Sequence, residues 1–196
     1  MVIPLPPGDF RAYLFDCDGT VADSMPVHHR AWQQALGEWG CDFPEERFYA
    51  WGGRSVADII GSLNEAHGLA MPVEAVALRR EELFRKHLPD VAPVPGIVPH
   101  IEDAYGRIPT AVVSGSTRES VTASLTALGL LDRFDALVCA DDCEKGKPDP
   151  EGYLRAARIL GVAPEHCLVF EDTELGIRAA TAAGMASVRV PQPHER

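Results

Sequence analysis

Ala12-Tyr-Leu-Phe-Asp-Cys-Asp-Gly-Thr20 is the stretch on which the reading of this chain turns. An apolar run from Ala12 to Phe15 stops abruptly at two carboxylates, Asp16 and Asp18, with Gly19 directly behind them. A short apolar run ended by Gly and carboxylates reads as a buried strand emptying into a loop. Residues two apart on an extended segment point the same way, so Asp16 and Asp18 can share one site.

Downstream of Met25 the period changes to that of helices. His28, Ala31, Trp32, Ala35, Leu36 and Trp39 fall at helical spacing, as do Val56, Ile59, Ile60 and Leu63. Val73, Val76, Ala77, Leu83, Phe84 and Leu88 repeat the pattern on a helix that Pro72 can start. Three helices and no strand are expected between residues 25 and 88. Leu88-Pro-Asp-Val-Ala-Pro-Val-Pro-Gly96 then breaks every pattern and reads as a semi-rigid linker.

Beyond that linker, strands and helices alternate. Thr110–Val113, Ala136–Cys139, Leu168–Phe170 and Ala186–Val190 read as strands. Helices through Val121, Tyr153 and Leu175 lie between them and close at Gly129, Gly161 and Gly184. Such alternation implies right-handed βαβ units and a parallel sheet. The expected architecture is α/β, a Rossmann-like core of residues 1–24 and 93–196 with a helical cap, 25–92, inserted after the first strand. The tail after Val190 reads as frayed.

Ligands of such sheets bind beyond the carboxyl ends of the strands. The polar residues there are Asp16 and Asp18, Ser114-Gly115-Ser116, Asp141 and Asp142, and Glu171-Asp172, with Lys147 in the loop after the third strand. Asp16, Asp18 and Asp172 together would repel unless a cation compensated, and a few oxygen ligands with room for water suit Mg²⁺. One carboxylate could then stay ionised as a nucleophile while the other moves a proton. Attack of a carboxylate on phosphorus gives an aspartyl-phosphate. Ser114 offers a hydroxyl, the helix opening near Thr117 offers backbone N–H groups to an anion, and Lys147 offers a fixed charge.

Four segments carry a family resemblance. They are Phe15-Asp16-Cys-Asp18-Gly19-Thr20-Val-Ala-Asp23-Ser24, Ser114-Gly115-Ser116, Lys147-Pro148-Asp-Pro150 and Val169-Phe-Glu171-Asp172-Thr-Glu-Leu-Gly176-Ile177. In that order they resemble the four motifs of haloacid dehalogenase-like phosphotransferases, over essentially the whole chain. The cap resembles that of the subgroup with β-phosphoglucomutase, sugar-phosphate phosphatases and phosphoglycolate phosphatases. The resemblance implies Asp16 as nucleophile and Asp18 as general acid, then general base. It also implies Mg²⁺ held by the Asp16 carboxylate, the Asp18 backbone carbonyl and Asp172, with Glu171 close by. Ser114 and Lys147 would hold the phosphoryl oxygens, with Gly115, Ser116 and Ser24 beside the substrate. The second acid, Asp18, counts against dehalogenation.

The cap is expected to set specificity. His28 and Trp32 resemble residues of the hexose-phosphate branch, yet both also lie on the apolar stripe of their helix, and either role stands. Arg80 falls at an inward position, where an unpaired cation would be costly. It meets either a substrate anion or sugar hydroxyls, or it snorkels to an acid. Arg54, beside Gly52-Gly53, could grip a second phosphate. The expected activity is Mg²⁺-dependent hydrolysis of a small phosphorylated metabolite, a sugar phosphate being preferred. A β-phosphoglucomutase-like mutase and a non-catalytic phospho-ligand binder are the alternatives.

The bulk composition agrees with this class. Its 46% hydrophobic and 24% charged residues are ordinary globular values, and the formal net charge is −11. An acidic surface argues against nucleic-acid or anionic-membrane partners, which need a basic field. Cys17, Cys41, Cys139, Cys143 and Cys167 form no CxxC pair and read as reduced structural thiols. The start of the chain, with three prolines and no cationic region before an apolar run, does not read as a signal peptide. The chain is expected to be cytoplasmic, and a monomer or weak homodimer.

Overall fold

The protein is described here by a computed structural model covering residues 2–52 and 54–195. The chain divides into two compact units, Met1–Ser24 with Val91–Arg196, and Met25–Asp90.

The larger unit is built on a five-stranded parallel sheet of order β3-β2-β1-β4-β5. Its strands are β1 (Ala12–Phe15), β2 (Thr110–Val113), β3 (Ala136–Val138), β4 (Cys167–Glu171) and β5 (Ala186–Arg189). β1, β2 and β4 are buried along their whole length, which is why their sequences are continuous apolar runs rather than alternating ones. β1 is central, and Phe15 pairs with Val112 on one side and Phe170 on the other. That register places Asp16, Ser114 and Glu171-Asp172 at one end of the sheet. The rings of Phe15 and Phe170 stack at 4.5 Å beneath them.

Helices α5 (Val98–Ala104), α6 (Arg118–Ala127), α7 (Glu151–Leu160) and α8 (Glu174–Ala182) complete this unit. Thr117 and Thr173 cap α6 and α8 by accepting from Ser120 and Gly176 N–H groups at 3.3 and 3.1 Å. Gly161, at φ 68°, ends α7 in the left-handed conformation that a side chain would disfavour.

The smaller unit contains α1 (Met25–Gly37), α2 (Glu45–Ala50), α3 (Val56–His67) and α4 (Val73–His87). Its core joins Trp32, Leu36, Phe43, Phe48, Ile60, Leu63 and Val76. The sequence reading of this region needs correction. Among the described residues there are four α-helices rather than three, because α2 is too short to display a repeat. Trp39 lies beyond the end of α1 and is 43% exposed, not on the buried stripe.

The proline-rich linker is also more ordered than expected. Leu88–Asp90 form a 3₁₀ turn, and Val91 and Val94 are buried. Asp23 N–H donates to Ala92 O at 2.7 Å and Val94 N–H to Val21 O at 3.0 Å, so the returning chain zips onto the segment after β1. α5 follows, unseen in the sequence. Nor is the tail frayed through residue 195. Pro193–Glu195 form a 3₁₀ turn, Val190 N–H donates to Glu171 O, and Gln192 Nε2 donates to Asp172 O at 3.3 Å. Among the described residues no helix is long and apolar enough to cross a membrane.

Candidate active site

Asp16, Glu171 and Asp172 meet at the carboxyl ends of β1 and β4, where the order of the strands reverses. All three are buried, and one carboxylate oxygen from each lies within 4.8 Å of the others. Lys147 enters the group from the loop after β3. Its Nζ donates to Asp16 Oδ1 at 2.5 Å and to Glu171 Oε1 at 2.7 Å. Glu171 is further fixed by Thr173, whose N–H donates to Oε2 at 2.9 Å. Asp172 Oδ1 accepts from Thr20 Oγ1 at 3.3 Å, while Oδ2 is buried with no hydrogen-bond partner among the described residues.

Two glycines make room for this cluster. A Cβ at Gly176 would overlap the Glu171 carboxylate, and one at Gly19 would overlap Asp172 Oδ2. Gly19 also sits at φ 92°, a conformation that side chains rarely adopt.

The electrostatics follow from burial. Desolvation pushes the Asp16 carboxyl well above the usual carboxylate range, and the charges of Glu171, Asp172 and Asp18 add to this against the pull of Lys147. Desolvation, then Glu171, raises Asp172 to about 8. Burial works against the Lys147 ammonium, yet Asp16 and Glu171 outweigh it and hold its pKa well above the ordinary lysine value. Three carboxylates against one ammonium leave an excess of two negative charges when all are ionised. A divalent cation would cancel that excess, and Asp172 Oδ2 is an oxygen with nothing else to bind. The donor set, all oxygen, suits Mg²⁺. Asp16 and Asp172 are the residues that fit as ligands. Glu171 spends its oxygens on Lys147 and Thr173.

Asp18 stands apart from the cluster. Ser24 Oγ donates to its Oδ1 and Ser116 Oγ to its Oδ2, both at 2.7 Å, so two hydroxyls fix the plane of the carboxylate. Ser114, 6% exposed, accepts from the Ser116 N–H at 3.0 Å, and this turn opens toward α6. Gly115 is exposed at its tip. Ser24 and Ser116, expected beside the substrate, are thus found holding Asp18. Asp141 and Asp142 lie outside the cluster. They accept from Arg118 N–H and from Arg118 Nη2 and Cys139 N–H respectively, tying α6 to the end of β3.

The candidates in the helical unit are brought into two groups. Arg80, with a side chain 14% exposed, pairs with Glu81 at 2.8 Å and approaches His28 Nδ1 at 3.2 Å. Its guanidinium lies 5.7 Å from the centre of the Trp32 ring. His28 stacks on Phe84 at 4.0 Å, and Trp32 belongs to the core of this unit. Arg54 is separate. Its Nη2 donates to Ser62 Oγ at 2.7 Å and to Asp58 O at 3.3 Å, and it lies 4.5 Å over the Trp51 ring. Arg54 is therefore held from within the helical unit, and Gly53 beside it lies outside the described residues.

All five cysteines are free. Cys17 sits between the two first-loop acids, but burial, with Asp18 and Asp16 adding, raises its thiol far above the ordinary value, so it is no nucleophile. Thr20, Thr173 and Gly176 were missed as contributors. The first two are ordinary in sequence; Thr20 meets Asp172 only once β4 lies beside β1, whereas Thr173 acts locally on Glu171.

Comparison with known proteins places these residues in context. A family model for haloacid dehalogenase-like hydrolases matches residues 10–184. The fructose-1-phosphate phosphatase YqaB of Escherichia coli (strain K12) is 37% identical over 182 residues, 92% of this chain and 96% of its own. Among solved structures, an aspartate-to-asparagine variant of CbbY from Rhodobacter sphaeroides, in complex with xylulose-(1,5)bisphosphate, matches with a TM-score of 0.84 at 27% identity, over 95% of this chain and 90% of that one. A β-phosphoglucomutase from Clostridium difficile matches with a TM-score of 0.83 at 26% identity, over 95% and 86%.

Proposed function

The chain belongs to the haloacid dehalogenase-like hydrolase family, and we propose that it hydrolyses a small phosphate monoester, a sugar phosphate, through an aspartyl-phosphate on Asp16. The observation that carries the reading is the buried cluster of Asp16, Lys147, Glu171 and Asp172, with Asp172 Oδ2 left without a partner among the described residues. The resemblance to a fructose-1-phosphate phosphatase over almost the full length of both chains supports the substrate class.

Asp16 is the carboxylate at the end of the central strand, and its Oδ attacks phosphorus as the bond to the leaving oxygen breaks. Asp18 gives that oxygen its proton. Asp18 then takes a proton from the water that attacks the aspartyl-phosphate, and Asp16 is released. Ser24 and Ser116 keep Asp18 oriented for both transfers, with 2.7 Å bonds to its two oxygens. Lys147 neutralises the transferred phosphoryl group while holding Asp16 in place, and Ser114 with the turn into α6 offers it hydrogen bonds. Mg²⁺, held by Asp16 and Asp172, supplies the positive charge that the cluster needs to accept a phosphate dianion.

A mutase must also hold a second phosphate. Arg54, the candidate for that task, is engaged by Ser62, Asp58 and Trp51. Arg80 is engaged by Glu81 and His28. These commitments favour hydrolysis over transfer. The test is phosphate release from a panel of sugar phosphates, phosphoglycolate and nucleotides with Mg²⁺ or with chelator, using wild type and Asp16→Asn. Chelator-sensitive release that disappears in Asp16→Asn is expected. Conversion of β-glucose 1-phosphate to glucose 6-phosphate with little free phosphate would replace hydrolysis by the mutase reading.

A further inference from the structure

Lys147 stands on a stretch, residues 143–150, that is neither helix nor strand. Its ammonium nevertheless has to meet two carboxylates at 2.5 and 2.7 Å. A lysine side chain has four rotatable carbons, so the backbone beneath it must be held if the charge is to be held.

Glu151, the first residue of α7, holds that backbone just before Lys147. Its Oε1 accepts from the Glu144 N–H and its Oε2 from the Lys145 N–H, each at 3.0 Å. Its own N–H donates to Asp149 Oδ1, also at 3.0 Å. The Glu151 carboxylate thus pins the loop shortly before Lys147, and its N–H holds the Asp149 side chain shortly after it. An acid in the first turn of a helix is favourable for the dipole alone. That role does not require both oxygens to be spent on consecutive N–H groups of the preceding loop. The two N–H bonds also hold the Glu151 carboxyl below the usual range, with Glu144 the larger contributor. α7 itself is anchored against the sheet. Tyr153 is fully buried, with its ring centre 5.3 Å from Lys147 Nζ, and Gly152 lets the helix approach Val113 closely.

We propose that Glu151 is a positioning residue, clasping the 144–149 loop so that the Lys147 ammonium is aimed at Asp16. It touches neither substrate nor metal; it acts through Lys147. The inference rests on the function proposed above. A displacement of about 1 Å at a reacting group can cost on the order of 10²-fold in rate.

The experiment is a double-mutant cycle with p-nitrophenyl phosphate and saturating Mg²⁺, using wild type, Glu151→Ala, Lys147→Ala and the double variant, each with its melting temperature. Glu151→Ala is expected to lower kcat/KM by about 10- to 100-fold. In the Lys147→Ala background the same change should matter less than about 2-fold, because the group it aims is gone. Glu151→Gln keeps one acceptor oxygen and should fall between, and it carries the same cycle if Glu151→Ala does not fold. Amide exchange at Glu144 and Lys145 should quicken in either variant. Wild-type kcat/KM in Glu151→Ala, or an equal loss with and without Lys147, overturns the assignment of Glu151 alone. If the wild type is inert on this substrate the cycle is run on the best substrate of the sugar-phosphate panel, and inertness on both overturns the functional reading and this inference with it.

Discussion

Gly176 and Gly19 border the carboxylate cluster so closely that a Cβ at either would overlap a carboxylate oxygen, whereas a Cβ at Gly61 meets nothing within 4 Å. Gly176→Ala is therefore expected to cost about 3 kcal/mol, by forcing Glu171 or α8 aside, read as a shift in the urea midpoint. Gly61→Ala, inside α3, should instead stabilise by about 0.5–1 kcal/mol. Asp172 presents the opposite situation, a buried acid with one oxygen unpartnered among the described residues. Asp172→Asn removes the ionisable group at nearly constant volume, so above about pH 8, where the acid ionises, it should raise the melting temperature of the metal-free protein. It should also erase the increase that Mg²⁺ gives wild type. A melting temperature below that of wild type in chelator would show that the carboxylate is satisfied by some other group. Both glycines and the acid were visible in the sequence as motif letters. What they press against was not, because β4 and the first loop are separated by about 150 residues of chain.

α7 joins the structural and chemical roles of this protein. Its first residue clasps the Lys147 loop, and its third, Tyr153, packs beneath the lysine. The Tyr153 hydroxyl is buried with no hydrogen-bond partner among the described residues, whereas the ring is well packed. Tyr153→Phe should therefore leave stability unchanged or raise it by up to about 1 kcal/mol. Tyr153→Ala should lose about 3–5 kcal/mol to the cavity it opens. Thermal unfolding of the two variants checks both figures. Elements of this length, ten residues with an apolar face, were legible from the sequence. α2 and α5, of six and seven residues, were not, since fewer than two turns cannot establish a period. Leu88–Gly96 misled for another reason. Its prolines do prevent regular structure, but Val94 and Asp23 find partners across the chain that no local pattern announces.

The pH response of the folded chain is set by the buried acids. Desolvation and the Glu171 charge raise Asp172 to about 8, well above the value of an unfolded aspartate. The folded state thus binds this proton more tightly than the unfolded state. The associated stability is fully present below about pH 4 and is lost as pH rises through about 8. Other carboxylates act in the reverse sense at low pH, so the prediction concerns the difference that metal makes. Mg²⁺ must displace the proton, so its stabilising effect on melting temperature should grow from pH 6 to pH 9. Paired melts with Mg²⁺ and with chelator across that range measure it. A metal effect independent of pH would mean that Asp172 is already ionised at pH 6.

Contiguous residues were enough to establish the α/β class, the five strands found among the described residues and the acids that end the first and fourth of them. Each of these is a property of a short segment, a buried parallel strand being apolar throughout and its loop polar at once. The tertiary structure alone decided the partnerships. Ser24 and Ser116 donate to the two oxygens of Asp18, partners that no local pattern names. Arg54, a candidate for a second phosphate, donates to Ser62 from within its own helical unit. Glu151 was not singled out at all. A charged or hydroxyl side chain reaches several ångströms in any of its rotamers, and only the packed backbone determines which partner lies within that reach.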